Sequence, residues 1–168
     1  GVGIILVSRF TYGAVLNAMK NVVEDSGGRL CVETVDIPFP VYSRDDIITA
    51  YKDKISQILS SSTTTSPDSC SSRSNISEKT AKPWLCLAVL DHVSSLPSLL
   101  HPVKELVSLC HKAGFERVLV DGAHALGTVS EINVADIKCD YYVGNVHKWM
   151  MAPTSAAYFW YRRSDDGR

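Results

Sequence analysis

The 168-residue chain has little net charge of either sign, with 17 Lys+Arg against 18 Asp+Glu and a formal balance of −1 with histidine neutral. A nucleic-acid-binding face needs clustered cations to displace condensed counterions, so no nucleic-acid partner is expected. Long apolar runs are missing as well. No segment approaches the roughly 18–20 residues that a membrane helix requires, and no membrane partner is expected. The longest run near the start, Val2 to Val7, has the length of a buried strand. It does not read as a signal peptide, because no basic segment precedes it and no small-residue cleavage site follows. The cysteines (Cys31, Cys70, Cys86, Cys110, Cys139) are odd in number and scattered, with no C-x-x-C spacing. That argues against a disulfide scaffold or zinc knuckle and for a reducing, cytoplasmic setting. The glycine signatures of nucleotide binding are absent too: neither G-x-x-x-x-G-K-[ST] nor G-x-G-x-x-G occurs, and Gly1-Val2-Gly3 precedes a strand instead of following one.

What the chain does contain is alternation. Gly3 to Ser8 reads as a buried strand, followed by a helix from Tyr12 to Asp25 with Ala14, Val15, Ala18, Met19, Val22 and Val23 on one face. Gly27-Gly28 stops that helix. Leu30 to Val35 is a second strand, and Pro38 and Pro40 punctuate the loop after it. Asp45 or Asp46 caps a helix whose stripe is Ile47, Ile48, Tyr51, Ile55, Ile58 and Leu59. Leu85 to Leu90, Val118 to Val120, Tyr141 to Val143 and Ala156 to Tyr161 are further strands. A helix after Pro102 carries Val103, Leu106, Val107 and Cys110 inward, with Gly114 past its end. Fully apolar strands separated by helices predict an α/β fold, a mostly parallel sheet with helices on both faces. Between Ser60 and Ser77, twelve of eighteen residues are Ser or Thr. Such a stretch buries too little to offset its ordering entropy and is expected to be a disordered surface insertion at about 60–80.

In open α/β sheets, ligands sit beyond the carboxyl ends of the strands. Three strands end in polar clusters: Asp91-His-Val-Ser-Ser95, Asp121-Gly-Ala-His124 and Gly144-Asn-Val-His-Lys148. Strand polarity therefore converges a carboxylate, histidines, a lysine and several hydroxyl or amide groups on one edge. A lysine with apolar and aromatic neighbours (Trp149, Met150, Met151) is a candidate for the amine nucleophile that forms a Schiff base with a carbonyl. An acid at a strand end can hold a proton on a pyridine nitrogen and turn the ring into an electron sink. His147, Asn145 and nearby backbone amides are candidates for a phosphate. Taken singly, Lys148 reads as a surface lysine and Asp121 as a turn residue. A magnesium role for Asp121 lacks its phosphate-binding loop, and His92, His124 and His147 match no familiar metal-ligand spacing. The order strand-Asp, then strand-His-Lys, carries the chemical reading.

Val120-Asp-Gly-Ala-His-Ala-Leu-Gly127, followed by Asp140-Tyr-Tyr-Val-Gly-Asn-Val-His-Lys-Trp149 with Ala152-Pro153, resembles the class V aminotransferase-like family of fold-type I pyridoxal-phosphate enzymes. Within it, the resemblance runs to isopenicillin N epimerase-like proteins and plant-type L-cysteine desulfhydrases. Leu90-Asp-His-Val-Ser-Ser95 with Pro102, and Tyr12-Gly-Ala14, belong to the same match. The resemblance implies pyridoxal 5'-phosphate as cofactor and an amino acid as substrate. It implies that Lys148 forms the internal aldimine and shuttles the Cα proton, that Asp121 pairs with the ring nitrogen, and that His124 lies against the ring or bonds its phenolic oxygen. Asn145 and His147 take places near the phosphate, and Ser95 that of a polar contact to ring or substrate. Tyr12 has no role assigned by the match and reads as a core tyrosine.

Family members are longer. The resemblance therefore places the chain as part of the large domain, with the phosphate cup before it and the small C-terminal domain after it. Weak cofactor binding by these residues alone is expected, and a homodimer for the parent protein. Three outcomes remain open from the common carbanion: β-elimination of a thiol, epimerisation and transamination. Leu96-Pro97-Ser98, where the family usually reads Pro-Thr-Gly, favours cysteine desulfhydrase-type elimination. A non-catalytic truncated product is the alternative from outside enzymology.

Overall fold

The computed structural model describes residues 2–61 and 83–163. Six strands form one sheet: β1 (Gly3–Ser8), β2 (Leu30–Val35), β3 (Trp84–Asp91), β4 (Arg117–Asp121), β5 (Tyr141–Asn145) and β6 (Ala157–Tyr161), in the order β2-β1-β3-β4-β5-β6. All neighbouring pairs are parallel except β5 with β6. Four helices connect them: α1 (Gly13–Asp25), α2 (Arg44–Ser60), α3 (Val103–Ala113) and the four-residue α4 (Val134–Ile137), which the sequence pattern does not announce.

The strand order explains why both faces are covered. From β1 the chain steps outward to β2 through α1, then returns across β1 to β3 through α2. Right-handed crossovers in opposite directions put their helices on opposite faces. Accordingly Val15, Leu16, Met19 and Val23 of α1 pack with Ile5, Val7 and Val89. On the other face, Ile47, Tyr51, Ile55 and Ile58 of α2 and Val103, Leu106, Val107 and Cys110 of α3 pack with Ile4, Leu6, Leu90, Val118 and Val120. A fully buried side chain of this size contributes about 1.5–3 kcal/mol.

Local chemistry sets the helix ends. Ser43 and Asp46 form a reciprocal capping box at α2, and hydrogen bonds from the backbone amides of Tyr42 and Ser43 hold the Asp46 carboxyl below its ordinary pKa. Gly114 ends α3 at φ 103°, the left-handed region that glycine enters without steric cost.

Three sequence expectations need correction. The N-cap of α2 is Ser43, with Asp46 in the third helical position, and not Asp45 or Asp46. In α1, Ala14, Ala18 and Val22 are exposed and Leu16 packs inward instead; nearly half the helix surface is apolar, so its period alone does not fix which stripe faces the sheet. Tyr12 is not core at all, being 54% exposed. The Ser/Thr-rich insertion, apart from Ser60 and Ser61, lies outside the described residues.

Candidate active site

The three polar clusters do meet. β3, β4 and β5 run in parallel and in register, with Asp91 opposite Asp121 and Asp121 opposite Val143. Side chains alternate along a strand, so Asp91, Asp121, Val143 and Asn145 emerge on the face that α1 covers. A cavity of about 370 Å³ opens there at the carboxyl edge. Its floor is Asp91, Val93 and Ser95 after β3, Asp121, Ala123 and His124 after β4, and Val143 and Asn145 of β5. Tyr12, Ala14, Val15 and Ala18 of the α1 segment make one wall, and Lys148 reaches in from the loop after β5. The alanines exposed on α1 thus line the cavity.

Lys148 is held by two aromatic groups. Its Nζ lies 3.0 Å from Nε2 of His124 and 5.8 Å from the centroid of the Tyr12 ring. The indole Nε1–H of Trp149 donates to Nδ1 of His124 at 3.4 Å. An indole nitrogen is only a donor, so Nδ1 of His124 is the acceptor in this contact. Burial, then the charge of Lys148, lowers the His124 pKa, while Asp121 pulls it the other way. The apolar surround expected from Trp149, Met150 and Met151 is not formed, because all three are exposed. Tyr12 and His124 shape the surroundings of the amine instead.

The turn bearing Asp121 is fixed by its own backbone. Oδ1 of Asp121 accepts from the Ala123 amide at 2.9 Å, and the Thr128 hydroxyl donates to the His124 carbonyl. Gly122 permits this turn, since a Cβ there would stand 2.3 Å from the Tyr142 ring and hydroxyl. Tyr142 in turn meets Nδ1 of His92 at 2.7 Å, which ties His92 into the opposite face and leaves it outside the cavity.

Of the six residues singled out by sequence, Lys148, Asp121, His124, Asn145 and Ser95 line one cavity. His147 does not: its Nδ1 meets the Ala156 carbonyl at 2.8 Å, fastening the loop that bears Lys148. Sequence reasoning missed Tyr12 and Asp91 as cavity residues. The signal for both was position, directly after one strand and at the end of another.

The model of the aminotransferase class-V family matches residues 56–165. The chain belongs to that family. Among curated relatives, L-cysteine desulfhydrase of Arabidopsis thaliana is 33% identical over 154 residues, 90% of this chain and 29% of that protein. Isopenicillin N epimerase of Streptomyces clavuligerus is 39% identical over 72 residues, 43% of this chain and 18% of that protein. The chain therefore spans about 30% of the length of the desulfhydrases it matches. The fold is shared with the apo cysteine desulfurase of Thermococcus onnurineus NA1, at a TM-score of 0.66 and 19% identity over 98% of this chain and 32% of that one.

Proposed function

We propose that this chain forms one half of a pyridoxal 5'-phosphate site in an amino-acid-processing enzyme, and that the full-length protein releases sulfide from cysteine by β-elimination. The observation that carries the reading is the placement of Lys148 and Asp121 on one cavity with an aromatic wall. The donor set fits the group: an amine for an aldehyde, a carboxylate for a pyridine nitrogen, and a tyrosine ring for the face of a flat heterocycle. The bound aldehyde, with its ring nitrogen protonated, supplies the electron sink that makes the substrate's α-hydrogen removable.

The remaining work falls to this chain's own residues. Lys148 Nζ would hold the aldehyde, and as a free amine it is placed to accept the substrate's α-proton as a general base. Asp121 keeps the ring nitrogen protonated, its own orientation set by the Ala123 amide. His124, with Nε2 3.0 Å from Lys148 Nζ, positions the amine and holds a hydrogen bond close to where the proton moves. Tyr12, Ala14 and Ala18 keep one side of the cavity apolar against water. Cysteine and water then give sulfide, pyruvate and ammonia. Elimination is favoured over epimerisation because the desulfhydrase likeness runs along 90% of the chain and the epimerase likeness along 43%. The homodimer implied by the family resemblance belongs to the same proposal.

The test is reduction with borohydride after addition of pyridoxal phosphate to the full-length protein, with mapping of the modified peptide. Label at Lys148 together with sulfide release from cysteine is the expected result. Label on another lysine overturns the role of Lys148, and label at Lys148 without sulfide overturns the choice of cysteine.

A further inference from the structure

The cavity holds a second carboxylate that the proposed chemistry leaves idle. Asp91 ends β3 directly beside Asp121 of β4, in register with it and on the same cavity. It is only 4% exposed, and among the described residues no lysine, arginine or histidine pairs with it. Its partners are two hydroxyls: Ser8 Oγ and Thr11 Oγ1 each donate to Oδ2 at 3.2 Å. Those hydroxyls belong to the turn that presents Tyr12, which is itself knit by the bond from the Ser8 amide to Thr11 Oγ1.

The groups packed around Asp91 leave its charge uncompensated by protein. Tyr51 of α2 stays protonated, through burial first and the charge of Asp91 second. His92, next in the chain, is kept neutral at pH 7 by burial. From β4 the neighbour is another acid, Asp121, and Lys148 and His124 are engaged with each other. Burial and the charge of Asp121 push Asp91 up to about 6, with Ser8 and Thr11 working against that rise, so it is ionised at neutral pH. An ionised carboxylate buried beside another is costly unless a cation faces them. Among the described residues no cation pairs with either carboxylate, and Lys148, which lines the same cavity, is turned to His124, so a cation on the ligand would complete the pair.

We infer that Asp91 is a positioning residue that acts through Asp121, so that a carboxylate pair, and not a single acid, holds the proton on the cofactor's ring nitrogen. This rests on the functional reading above. A second negative charge close by raises the proton affinity of the ring nitrogen, by about one pH unit or more for a charge within a few ångströms.

The experiment loads the full-length protein with pyridoxal phosphate carrying 15N in the ring and follows the ring-nitrogen shift with pH. In Asp91→Asn the amide oxygen still accepts from Ser8 and Thr11, so the turn is kept while the charge is lost. The expected result is that the ring proton is lost about one pH unit or more lower in Asp91→Asn than in the unmodified protein. Superimposable titrations overturn the inference, even if the variant is less stable, since a merely structural role for Asp91 would leave the ring nitrogen unmoved. If Asp91→Asn does not fold, Ser8→Ala with Thr11→Val removes the two bonds that keep Asp91 ionised. The ring proton should then be lost at lower pH as well, and an unmoved titration overturns the inference. Failure of the unmodified protein to take up labelled cofactor is a different result and strikes the functional reading itself.

Discussion

Lys148 Nζ and His124 Nε2 stand 3.0 Å apart although 24 residues separate them in the chain. Two loops leaving adjacent parallel strands at the same edge produce that contact, and the Trp149 indole orients the imidazole within it. Replacing His124 with Phe should lower kcat for sulfide release by about 100-fold or more, the usual weight of a positioned proton-handling group, with far-UV circular dichroism unchanged. Because the His124 pKa lies below its ordinary 6.5, no activity limb from this residue should appear between pH 6.5 and 8. An unchanged kcat in the variant removes His124 from the chemistry.

Tyr12 offers a second measurement. If its ring is the wall on which the cofactor lies, Tyr12→Phe should keep cofactor affinity within a factor of two or so, because the stacking surface survives. Tyr12→Ala should weaken it about tenfold, in line with ~0.5–1.5 kcal/mol for an aromatic pair beyond its buried area. Titration of cofactor fluorescence distinguishes the two, and equal affinities for both variants would remove the ring from the site.

Stability should fall in acid for a reason that can be assigned. His92 and His101 are pushed down to about 4 by burial, with the charge of His92 adding at His101. The unfolded chain protonates them near 6.5, the folded one only near 4, so stability is complete above pH 6.5 and drains away as pH drops towards 4. Asp91 opposes this. Its folded pKa of about 6 exceeds the ordinary 3.8, so it binds its proton in the folded state first and returns part of the loss over the same interval. Two histidines outweigh one carboxylate, and urea titrations should show a net loss on the order of 3 kcal/mol between pH 7 and 4, at about 1.4 kcal/mol per pH unit and proton. Both ring nitrogens of His101 are buried without a partner among the described residues. His101→Leu should therefore be at least as stable at neutral pH and show a shallower acid slope; an unaltered slope would assign the acid loss elsewhere.

Gly122→Ala probes the turn beneath Asp121. The added methyl would meet Tyr142 at 2.3 Å, and Tyr142 cannot retreat without leaving His92. A loss of about 1–3 kcal/mol in denaturant titrations is expected, the usual penalty for an overfilled core. A variant as stable as the parent would show that the Tyr142–His92 contact gives way freely.

Much of this was readable in the residues, and the unread parts share a cause. Continuous runs such as Leu85 to Leu90 leave no choice but a strand buried on both faces, and strand polarity then sends Asp121 and Lys148 to one edge. The α1 helix carries apolar side chains around nearly half its circumference, so its contact stripe is settled by the sheet it meets and not by its period. Tyr12 looks like core because aromatic residues beside apolar runs usually are. What lifts it out is the turn in which the hydroxyls of Ser8 and Thr11 converge on Asp91, a contact spanning 80 residues or more. His147 is the converse: a polar side chain in the right cluster whose ring is claimed by the carbonyl of Ala156, a partner visible only once β6 folds back on β5.

That fold-back has a consequence for how the lysine is held. Asn145 and Ala157 face each other as the last rung between β5 and β6, and the Val146 amide reaches the Ala156 carbonyl just beyond it. The segment bearing Lys148 is thus buckled at its base like a closed clasp. Residues added at its tip, around Met151 to Ser155, would be absorbed as slack, whereas a single-residue slip along the β5–β6 seam would swing the amine away from the acid it has to face.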